Sequence, residues 1–349
     1  MARMNRGTAG WLVVLAGLLA ACSAPAEAMA PTPELSNIQV FFSNPSSLIA
    51  GVTLGGPDKY LQEAIENARL TIDVAIYELN LYYLRNALVE AKKRGIEVRL
   101  VVESENFTPE ELLIFTSEGI PVIGDDDPDA MHDKYTIIDR YEVWTGSMNY
   151  TLSDVHGNRN NLIMLRSTEL AENYEAEFEE MFLNRLFGAH SPADTPNPQV
   201  AIGGSIVETY FAPEDGVEAR LVDLVNEAEE SIYLLTYSFT SDALADALID
   251  AQGRGVEIRG VMDKAQAANA GGEFERLVVN GMQVRLDGED GSLHHKVMII
   301  DEQVVVTGSY NFSANAEKHN DENLLVIHDA DLASGYMEEF QRLWELALP

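Results

Sequence analysis

The chain has 349 residues, 46% hydrophobic and 23% charged, which is the composition of a globular protein with room for two domains and excludes a disordered chain. Its 57 acidic and 23 basic residues give a formal net charge of −34. Such a surface repels nucleic acids and anionic membranes at long range, although a general adaptation, for example to high salt, also explains it.

The first recognisable element is an export signal. Arg3 and Arg6 precede an apolar run, Trp11 to Ala21, that is too short to span a bilayer as a helix. The run ends in Leu-Ala-Ala-Cys22, which resembles a bacterial lipoprotein signal, in which the cysteine is lipidated and becomes the first residue. We therefore expect Cys22 to carry a lipid that anchors the exported protein to the bacterial cell membrane, facing outward or into the periplasm. An ordinary secretory signal cleaved nearby is the alternative.

This interpretation divides the start of the chain into a signal peptide, residues 1–21, and an Ala- and Pro-rich tether, residues 22–36. Cys22 is the single cysteine of the chain, so no internal disulfide can form. The fold of the exported protein therefore depends on the packing of its core.

After the tether the chain contains an internal repeat of one module in two copies. A helix-period pattern that begins at Leu61 recurs from Leu221, and the apolar strand Ile72 to Tyr77 recurs as Ile232 to Tyr237. A second helix and a second strand follow in both copies, with an Arg-Gly pair between them that ends the helix. The shift between the copies is 160 residues up to this point and 162 residues afterwards.

Alternating strands and helices of this length predict an α/β fold, with a buried central sheet and helices outside it. We predict two repeated α/β/α sandwich domains, residues 37–188 and 201–349, joined by a proline-containing linker, residues 189–200. Two copies of one module usually pack about a pseudo-twofold axis, as homodimers do. A monomer with an internal pseudo-dimer then has one active site at the interface of its halves.

Each copy carries the pattern His-x-Lys-x4-Asp, and seven residues after the aspartate comes Gly-Ser-x-Asn. The residues of the first copy are His132, Lys134, Asp139, Ser147 and Asn149, and those of the second are His294, Lys296, Asp301, Ser309 and Asn311.

The run after each lysine is apolar and β-branched, which predicts a strand. Residues i and i+2 of a strand face the same side, so His132 and Lys134 point together while Asp133 points away. An imidazole, an ammonium and a carboxamide that converge suit a phosphate group, with Ser147, Asn149 and their counterparts as further phosphate ligands. The motif aspartates fall where the strand turns, so we expect them to hold the local structure rather than to touch substrate.

This doubled His-Lys-Asp motif resembles the signature of the phospholipase D superfamily, and the resemblance covers about residues 38 to 345. It implies a phosphodiesterase that forms a phosphohistidine intermediate and needs no cofactor or metal ion. One histidine attacks phosphorus and the other protonates the leaving oxygen. The acidic run from Asp125 to Asp129 lacks an EF-hand pattern and is interpreted as a solvated loop.

The two copies differ at one informative position. Glu322 precedes Asn323, whereas its counterpart Asn160 precedes Asn161. A nucleophilic histidine benefits from a carboxylate on its other ring nitrogen. If Glu322 reaches across the interface it pairs with His132, which is then the nucleophile. If Glu322 serves its own half the roles reverse, and the sequence leaves both possibilities open.

The substrate is open in the same way. A phospholipid is favoured by the expected membrane anchor, the lack of a basic stripe, and acidic loops before both catalytic strands. These loops, Asp125 to Asp129 and the segment with Asp287, Glu289 and Asp290, would tolerate a cationic headgroup. The alternative is an endonuclease of the same superfamily, since the modules are compact. An inactive binding protein is disfavoured by two complete motifs, and cardiolipin synthesis by the lack of N-terminal membrane helices.

Overall fold

The structure is a computed structural model that describes residues 36–45, 56–125 and 128–348. The predicted signal peptide, the predicted lipidation at Cys22 and all of the predicted tether before Ser36 lie outside the described residues. Two residues of the first acidic loop, Asp126 and Asp127, also lie outside them.

The described part of the first half contains seven strands and five helices, and a π-helical turn, Glu180–Asn184, follows the last helix. In chain order the elements are β1 (Ile38–Phe42), α1 (Pro57–Asn67), β2 (Thr71–Ile76), α2 (Tyr82–Lys93), β3 (Glu97–Val102), α3 (Pro109–Thr116), β4 (Val122–Gly124), β5 (Lys134–Ile138), β6 (Glu142–Gly146), α4 (Leu152–His156), β7 (Asn161–Arg166) and α5 (Thr168–Glu179).

The second half begins with a strand that takes in Gln199 and Val200, the last two residues of the predicted linker. Its elements are β8 (Gln199–Ile202), β9 (Ser205–Ala212), α6 (Val217–Glu227), β10 (Ser231–Thr236), α7 (Asp242–Arg254), β11 (Glu257–Met262), α8 (Phe274–Val279), β12 (Gln283–Leu286), β13 (Lys296–Ile300), β14 (Val304–Gly308), α9 (Ala314–Lys318), β15 (Glu322–His328) and α10 (Ala330–Leu346).

The described strands form two mixed sheets with the same internal order, which confirms the repeat. The first sheet runs β1-β7-β6-β5-β2-β3-β4, and the second runs β12-β11-β10-β13-β14-β15-β9-β8. Read from opposite ends the orders coincide, with β8 as an additional edge strand. In each sheet the three strands that begin with β2 or β10 and continue outward are parallel, and the other neighbours are antiparallel.

The central strands are buried on both faces, as their continuous apolar sequences predict. Every residue of β2 and of β10 is buried. Alternate residues serve different cores: Ile72 and Val74 pack with the outer helices of the first half, whereas Ala75 packs into a central core. The central core takes residues from both sheets and from α5 and α10, which lie at the interface of the two halves.

The Arg-Gly pairs end their helices as predicted. Gly95 follows α2 with φ 93° and Gly255 follows α7 with φ 101°, in the left-handed region where a side chain is strained. The next strand begins two residues later in both halves. This turn brings β3 and β11 beside β2 and β10, so the strands that lead to the motif residues have the same surroundings in both halves.

Candidate active site

Each His-x-Lys pair lies where a central strand begins. His132 and Lys134 stand at the start of β5, and His294 and Lys296 at the start of β13. Lys134 Nζ donates a hydrogen bond to the carbonyl oxygen of His132 at 2.6 Å, and Lys296 Nζ donates to that of His294 at 2.9 Å. Each ammonium group therefore lies beside its own histidine, as the strand period predicts.

A tyrosine flanks each pair, and sequence reasoning missed both. The ring centroid of Tyr77 lies 4.6 Å from that of the first histidine and 4.9 Å from the first lysine Nζ. Tyr237 repeats this arrangement in the second half, at 4.7 and 5.1 Å. The repeat could have revealed them, because the two tyrosines occupy equivalent positions at the ends of matched strands.

The two histidines are each held by the backbone of the opposite half. His132 N donates to the carbonyl oxygen of Asp321 at 3.0 Å, and His294 N donates to that of Arg159 at 2.9 Å. Arg159 and Asp321 are equivalent positions of the repeat, so the contacts are reciprocal. This is the pattern of a pseudo-twofold interface, and it brings the two motifs together.

The charges of the motifs also act across the interface. Burial lowers the pKa of His132 well below its ordinary range, and Lys134 and Lys296 lower it further. Burial lowers the pKa of His294 in the same way, and Lys296 and Lys134 add to the effect. The effect of both lysines on each histidine agrees with the reciprocal backbone contacts that bring the two motifs together. Burial also lowers the pKa of Lys134 to about 8 and that of Lys296 to about 7.

Glu322 crosses the interface to His132. Both of its carboxylate oxygens lie 2.8 Å from His132 Nδ1, and Asn320 Nδ2 donates to Oε1 at 3.2 Å. Burial raises the pKa of Glu322 to about 7, against the lowering effect of Lys134. The structure therefore shows the first of the two pairings that the sequence left open.

His294 meets an amide at the equivalent position. Its Nδ1 lies 2.9 Å from Asn160 Oδ1. The amide is held from behind, because Ser147 Oγ donates to the same oxygen at 2.9 Å and Asn160 Nδ2 donates to the carbonyl oxygen of Asp154 at 3.1 Å. The two histidines thus have equivalent positions and different partners.

The motif serines are placed behind the histidines' partners. Ser147 and Ser309 are fully buried. Ser147 Oγ is engaged with Asn160 and accepts from Asn161 N at 3.1 Å, and Ser309 Oγ accepts from Asn323 N at 3.0 Å. The sequence predicted that these hydroxyls bind phosphate, which stays a prediction, and the structure shows that both are engaged with the asparagines next to them.

The motif asparagines keep unused hydrogen-bonding capacity. Asn149 and Asn311 each have a buried Oδ1 without a hydrogen-bond partner among the described residues. Asn149 N donates to Asp154 Oδ2 at 2.9 Å, which holds its backbone close to the His294 side of the site. Such amide groups suit an oxygen-rich ligand, and their binding of phosphate stays a prediction.

The motif aspartates lie at the far end of their strands from the histidines. Asp139 has φ 54° and accepts hydrogen bonds from Leu70 N at 2.6 Å and Thr71 N at 3.2 Å. Asp301 has φ 50° and accepts from Glu230 N at 2.7 Å and Ser231 N at 2.8 Å. Both carboxylates therefore fix the turn before the neighbouring strand, as expected, and neither belongs to the group around the histidines.

The residues between histidine and lysine point into the interface. Asp133 Oδ1 accepts from Asn323 Nδ2 at 2.6 Å, and His295 Nδ1 lies 3.3 Å from Asn161 Oδ1. The same asparagines reach the opposite sheet, because Asn161 Nδ2 donates to Thr307 Oγ1 at 2.7 Å and Asn323 Oδ1 accepts from Thr145 Oγ1 at 2.6 Å. This buried network fixes the register of the two halves.

Two described residues of the acidic loops, Asp125 and Asp287, are buried, whereas the sequence predicted solvated loops. Asp287 pairs at 3.3 Å with Arg159, which is 1% exposed and also lies 3.3 Å from Glu289. Asp125 is buried and accepts from Ser104 N at 2.6 Å. Sequence reasoning missed Arg159, and its contact with His294 places this ion pair beside the site. Within the described residues no group of His, Cys, Asp and Glu side chains is arranged to hold a metal ion.

Comparison with protein families gives a match to both halves. The family described as "Cardiolipin synthase, PLD-like domain" matches residues 61–182 and 221–344. The chain is 36% identical over 152 residues to a phospholipase D of Rickettsia bellii, covering 42% of this chain and 76% of the relative. It is 35% identical over 131 residues to a mitochondrial cardiolipin hydrolase of Xenopus tropicalis, covering 38% of this chain and 62% of the relative.

Two solved structures illustrate what this chain is similar to. A phosphatidylserine synthase from Haemophilus influenzae covers 83% of this chain and 84% of its own, with a TM-score of 0.63 and 13% identity. The phospholipase D family member Nuc from Salmonella typhimurium covers 41% of this chain and 97% of its own, with a TM-score of 0.40 and 30% identity. The first likeness confirms the two-domain fold.

Proposed function

Because the chain belongs to the phospholipase D superfamily, we propose that it hydrolyses phospholipids as a phospholipase D-type phosphodiesterase, at the single site between its halves. One observation carries this proposal. His132 and His294 come from different copies of the repeat, and the backbone nitrogen of each donates a hydrogen bond to a carbonyl oxygen of the opposite half. Neutral His132 supplies the nucleophile, protonated His294 supplies the proton for the leaving oxygen, and the two lysines supply positive charge for one phosphate.

The reaction takes two steps. His132 Nε2 attacks phosphorus, and the bond to the headgroup oxygen breaks as that oxygen takes the Nε2 proton of His294, which enters this step in its protonated form. The lipid phosphate is then bound to His132. A water molecule gives a proton to His294 and attacks phosphorus, and the nitrogen–phosphorus bond breaks with its electron pair returning to His132. Lys134 and Lys296 stabilise the charge on the phosphate oxygens in both steps.

Glu322 makes His132 the better nucleophile. Its carboxylate accepts the Nδ1 proton, which leaves the Nε2 lone pair available, and it balances the charge of the imidazole once phosphorus is attached. His294 faces an uncharged amide in the same position. We therefore assign the phosphohistidine to His132 and acid–base chemistry to His294, and no cofactor enters the scheme.

The lipid substrate is supported by the names of the relatives and by charge. Those relatives are called phospholipase D and cardiolipin hydrolase. The net charge of −34 opposes a polyanionic strand, whereas a lipid presents one phosphate at a time. A cavity of about 400 Å³, lined by Arg159, Glu289 and Asp290 among others, is our candidate for the headgroup, because the backbone of Arg159 also contacts His294.

Location is a further part of the proposal. Cys22 would hold the domain to the bacterial membrane by acyl chains, each CH₂ of which contributes about 0.8 kcal/mol when buried. In the described residues no helix is long and apolar enough to cross a membrane. Cys22→Ser should shift the protein to the soluble fraction or block its processing. An unchanged membrane fraction would contradict the lipid anchor.

The substrate test compares three classes with one preparation. Purified protein without residues 1–21 is offered phosphatidylcholine, cardiolipin and single-stranded DNA, with the His132→Ala variant as the matched control for contaminating activity. We expect headgroup release that disappears in the variant. Cleavage of DNA at low salt, without release of any headgroup, would replace the lipid function by the nuclease. Because both halves are in one chain, sedimentation should show an active monomer.

A further inference from the structure

The histidine without a direct carboxylate has a buried negative charge one step further away. Asp154 is 2% exposed, and its Oδ1 lies 3.7 Å from His294 Nδ1. Its counterpart in the second half, 162 residues later, is Ala316. The first copy therefore has an amide at position 160 and an acid at position 154, whereas the second copy has an acid at position 322 and a methyl group at position 316.

The carboxylate fixes which way the intervening amide faces. Asn160 Nδ2 lies 3.1 Å from the carbonyl oxygen of Asp154 and 3.3 Å from its Oδ1. Both of these oxygens only accept hydrogen bonds, so the NH₂ end of Asn160 must face Asp154. The reversed amide would set its oxygen against two acceptors. Asn160 Oδ1 is thereby directed at Ser147 and His294.

The direction of the amide in turn fixes the tautomer of His294. Asn160 Oδ1 is an acceptor, so the hydrogen bond of 2.9 Å requires a proton on His294 Nδ1. The neutral ring then presents an unprotonated Nε2 to the substrate, ready to take a proton. When Nε2 is protonated, the cation has the charge of Asp154 at 3.7 Å.

Asp154 is held ionised for this purpose. Burial alone raises its pKa, but the charge of His294 and hydrogen bonds from Asn158 and Asn149 lower it below its ordinary value. Asn158 Nδ2 donates to Oδ1 at 2.7 Å and Asn149 N donates to Oδ2 at 2.9 Å. A buried carboxylate with these partners carries a full charge at neutral pH.

We propose that Asp154 is a positioning residue for His294: through Asn160 it sets the tautomer of His294 and supplies the negative charge that stabilises its protonated form. The proposal rests on the acid–base role given to His294 above. It also explains how His294 works as an acid although the first copy places Asn160, rather than a carboxylate, against it. Asp154 stabilises protonated His294 less than Glu322 stabilises protonated His132, because its carboxylate lies further from the ring.

The test measures His294 directly. Full-length protein is labelled with isotopes at its seven histidines and titrated by NMR. The His294→Ala variant identifies the signal of His294. In the unmodified protein the neutral ring should be protonated at Nδ1. Asp154→Asn should lower the titration midpoint of His294 by about one to three pH units, the effect of removing an opposite charge at this distance.

A second variant moves the charge rather than deleting it. Asp154→Asn combined with Asn160→Asp places a carboxylate directly on His294, as Glu322 lies on His132, and should return the midpoint to its original value or above it. Asn158→Ala is the matched control, because it removes one hydrogen bond to Asp154 and keeps the charge. Thermal melting shows that each variant is folded.

The activity of the same variants gives a second readout. Loss of the protonated acid sets the basic limb of the kcat profile, so Asp154→Asn should move this limb to lower pH and the double variant should move it back. An unshifted midpoint in folded Asp154→Asn, or a double variant no better than the single one, would overturn the proposal. The NMR titration stands even if the protein fails to cleave lipids, so the two proposals fail separately.

Discussion

His132 and His294 occupy equivalent positions in two copies of one module, yet their surroundings differ in charge. Each stands at the start of its strand beside a lysine and a tyrosine, and each is tied by its backbone nitrogen to the other half. The Nδ1 of His132 meets a carboxylate, whereas that of His294 meets an amide. The backbone arrangement is symmetric, but the side chains that contact Nδ1 of the two histidines differ. Two equivalent motif histidines therefore have different roles in the reaction.

The divergence extends to the residues that hold the histidines. Arg159 pairs with Asp287 and neutralises part of the second acidic loop. Its counterpart Asp321 is itself acidic, and burial raises its pKa well above the usual range, with Asp133 adding to the effect. The residues whose backbones hold the two histidines therefore differ in chemistry, a paired arginine on one side and a buried carboxyl group on the other. We therefore expect the same substitution, made at equivalent positions of the two copies, to change activity unequally near the histidines. Far from the histidines the two changes should be equal.

Loss of either histidine should have the largest effect. His132→Ala and His294→Ala should each lower turnover by at least about 10²–10⁴-fold, since each removes one essential step of the reaction. The double variant should be little slower than the slower single one, because residues that act as a unit are not additive. Steady-state kinetics on one phospholipid gives all three values. Near-normal activity in either single variant would mean that the halves do not share a site.

Glu322→Gln should come next. The amide cannot balance a charged imidazole, and we expect a loss of roughly 10³–10⁴-fold in kcat, as when a triad carboxylate becomes an amide. Asn320→Ala is the matched control, because it removes the hydrogen bond of 3.2 Å to Glu322 and leaves the carboxylate in place. A loss of less than about tenfold in Glu322→Gln would remove the basis for distinguishing the two histidines.

Lys296→Met should abolish turnover and stabilise the fold. Burial lowers the pKa of Lys296 from 10.5 to about 7, so below pH 7 the folded protein bears the full cost of a buried charge that the unfolded protein does not. The gain in unfolding free energy should be on the order of a few kcal/mol at pH 6. It should decline between pH 7 and 10.5, where the folded lysine is already neutral. Denaturant unfolding at several pH values measures this trend, and a gain that grows with pH would contradict it.

The motif aspartates should show the smallest and most symmetric effect. Asp139→Asn and Asp301→Asn weaken hydrogen bonds to the turn before β2 and β10, and asparagine tolerates their positive φ. Each should cost about 1–2 kcal/mol of stability and leave kcat little changed. A much larger loss of activity than of stability in one of them would place that aspartate in the chemistry.

Much of this comparison was predictable from the sequence, because it depends on local period and on the repeat. Three features follow from backbone geometry: the strands at Lys134 and Lys296, the helix ends at Gly95 and Gly255, and the direction of Asp133 away from its two motif neighbours. The shared site follows from the doubling of the motif.

Contacts between distant residues were not predictable in the same way. Two pairings of Glu322 were open from the sequence. The backbone pairing of Asp321 with Ala130 and His132 decides between them, because it sets the next residue opposite the histidine. Asp154 and Arg159 were missed because each acts through a partner in another loop. Both differ from their counterparts in the second copy. A position-by-position comparison of the two repeats would therefore have singled out both residues.

The measurement that tests the account most directly locates the covalent intermediate. His294→Ala is mixed with a nitrophenyl phosphodiester, whose good leaving group needs no general acid, and the quenched protein is digested and examined by mass spectrometry. We predict a rapid release of one nitrophenolate per chain and a phosphate ester attached to His132, because Glu322 stabilises the charged product there. Release from His132→Ala instead, with the label on His294, would contradict the central claim that the carboxylate marks the nucleophile.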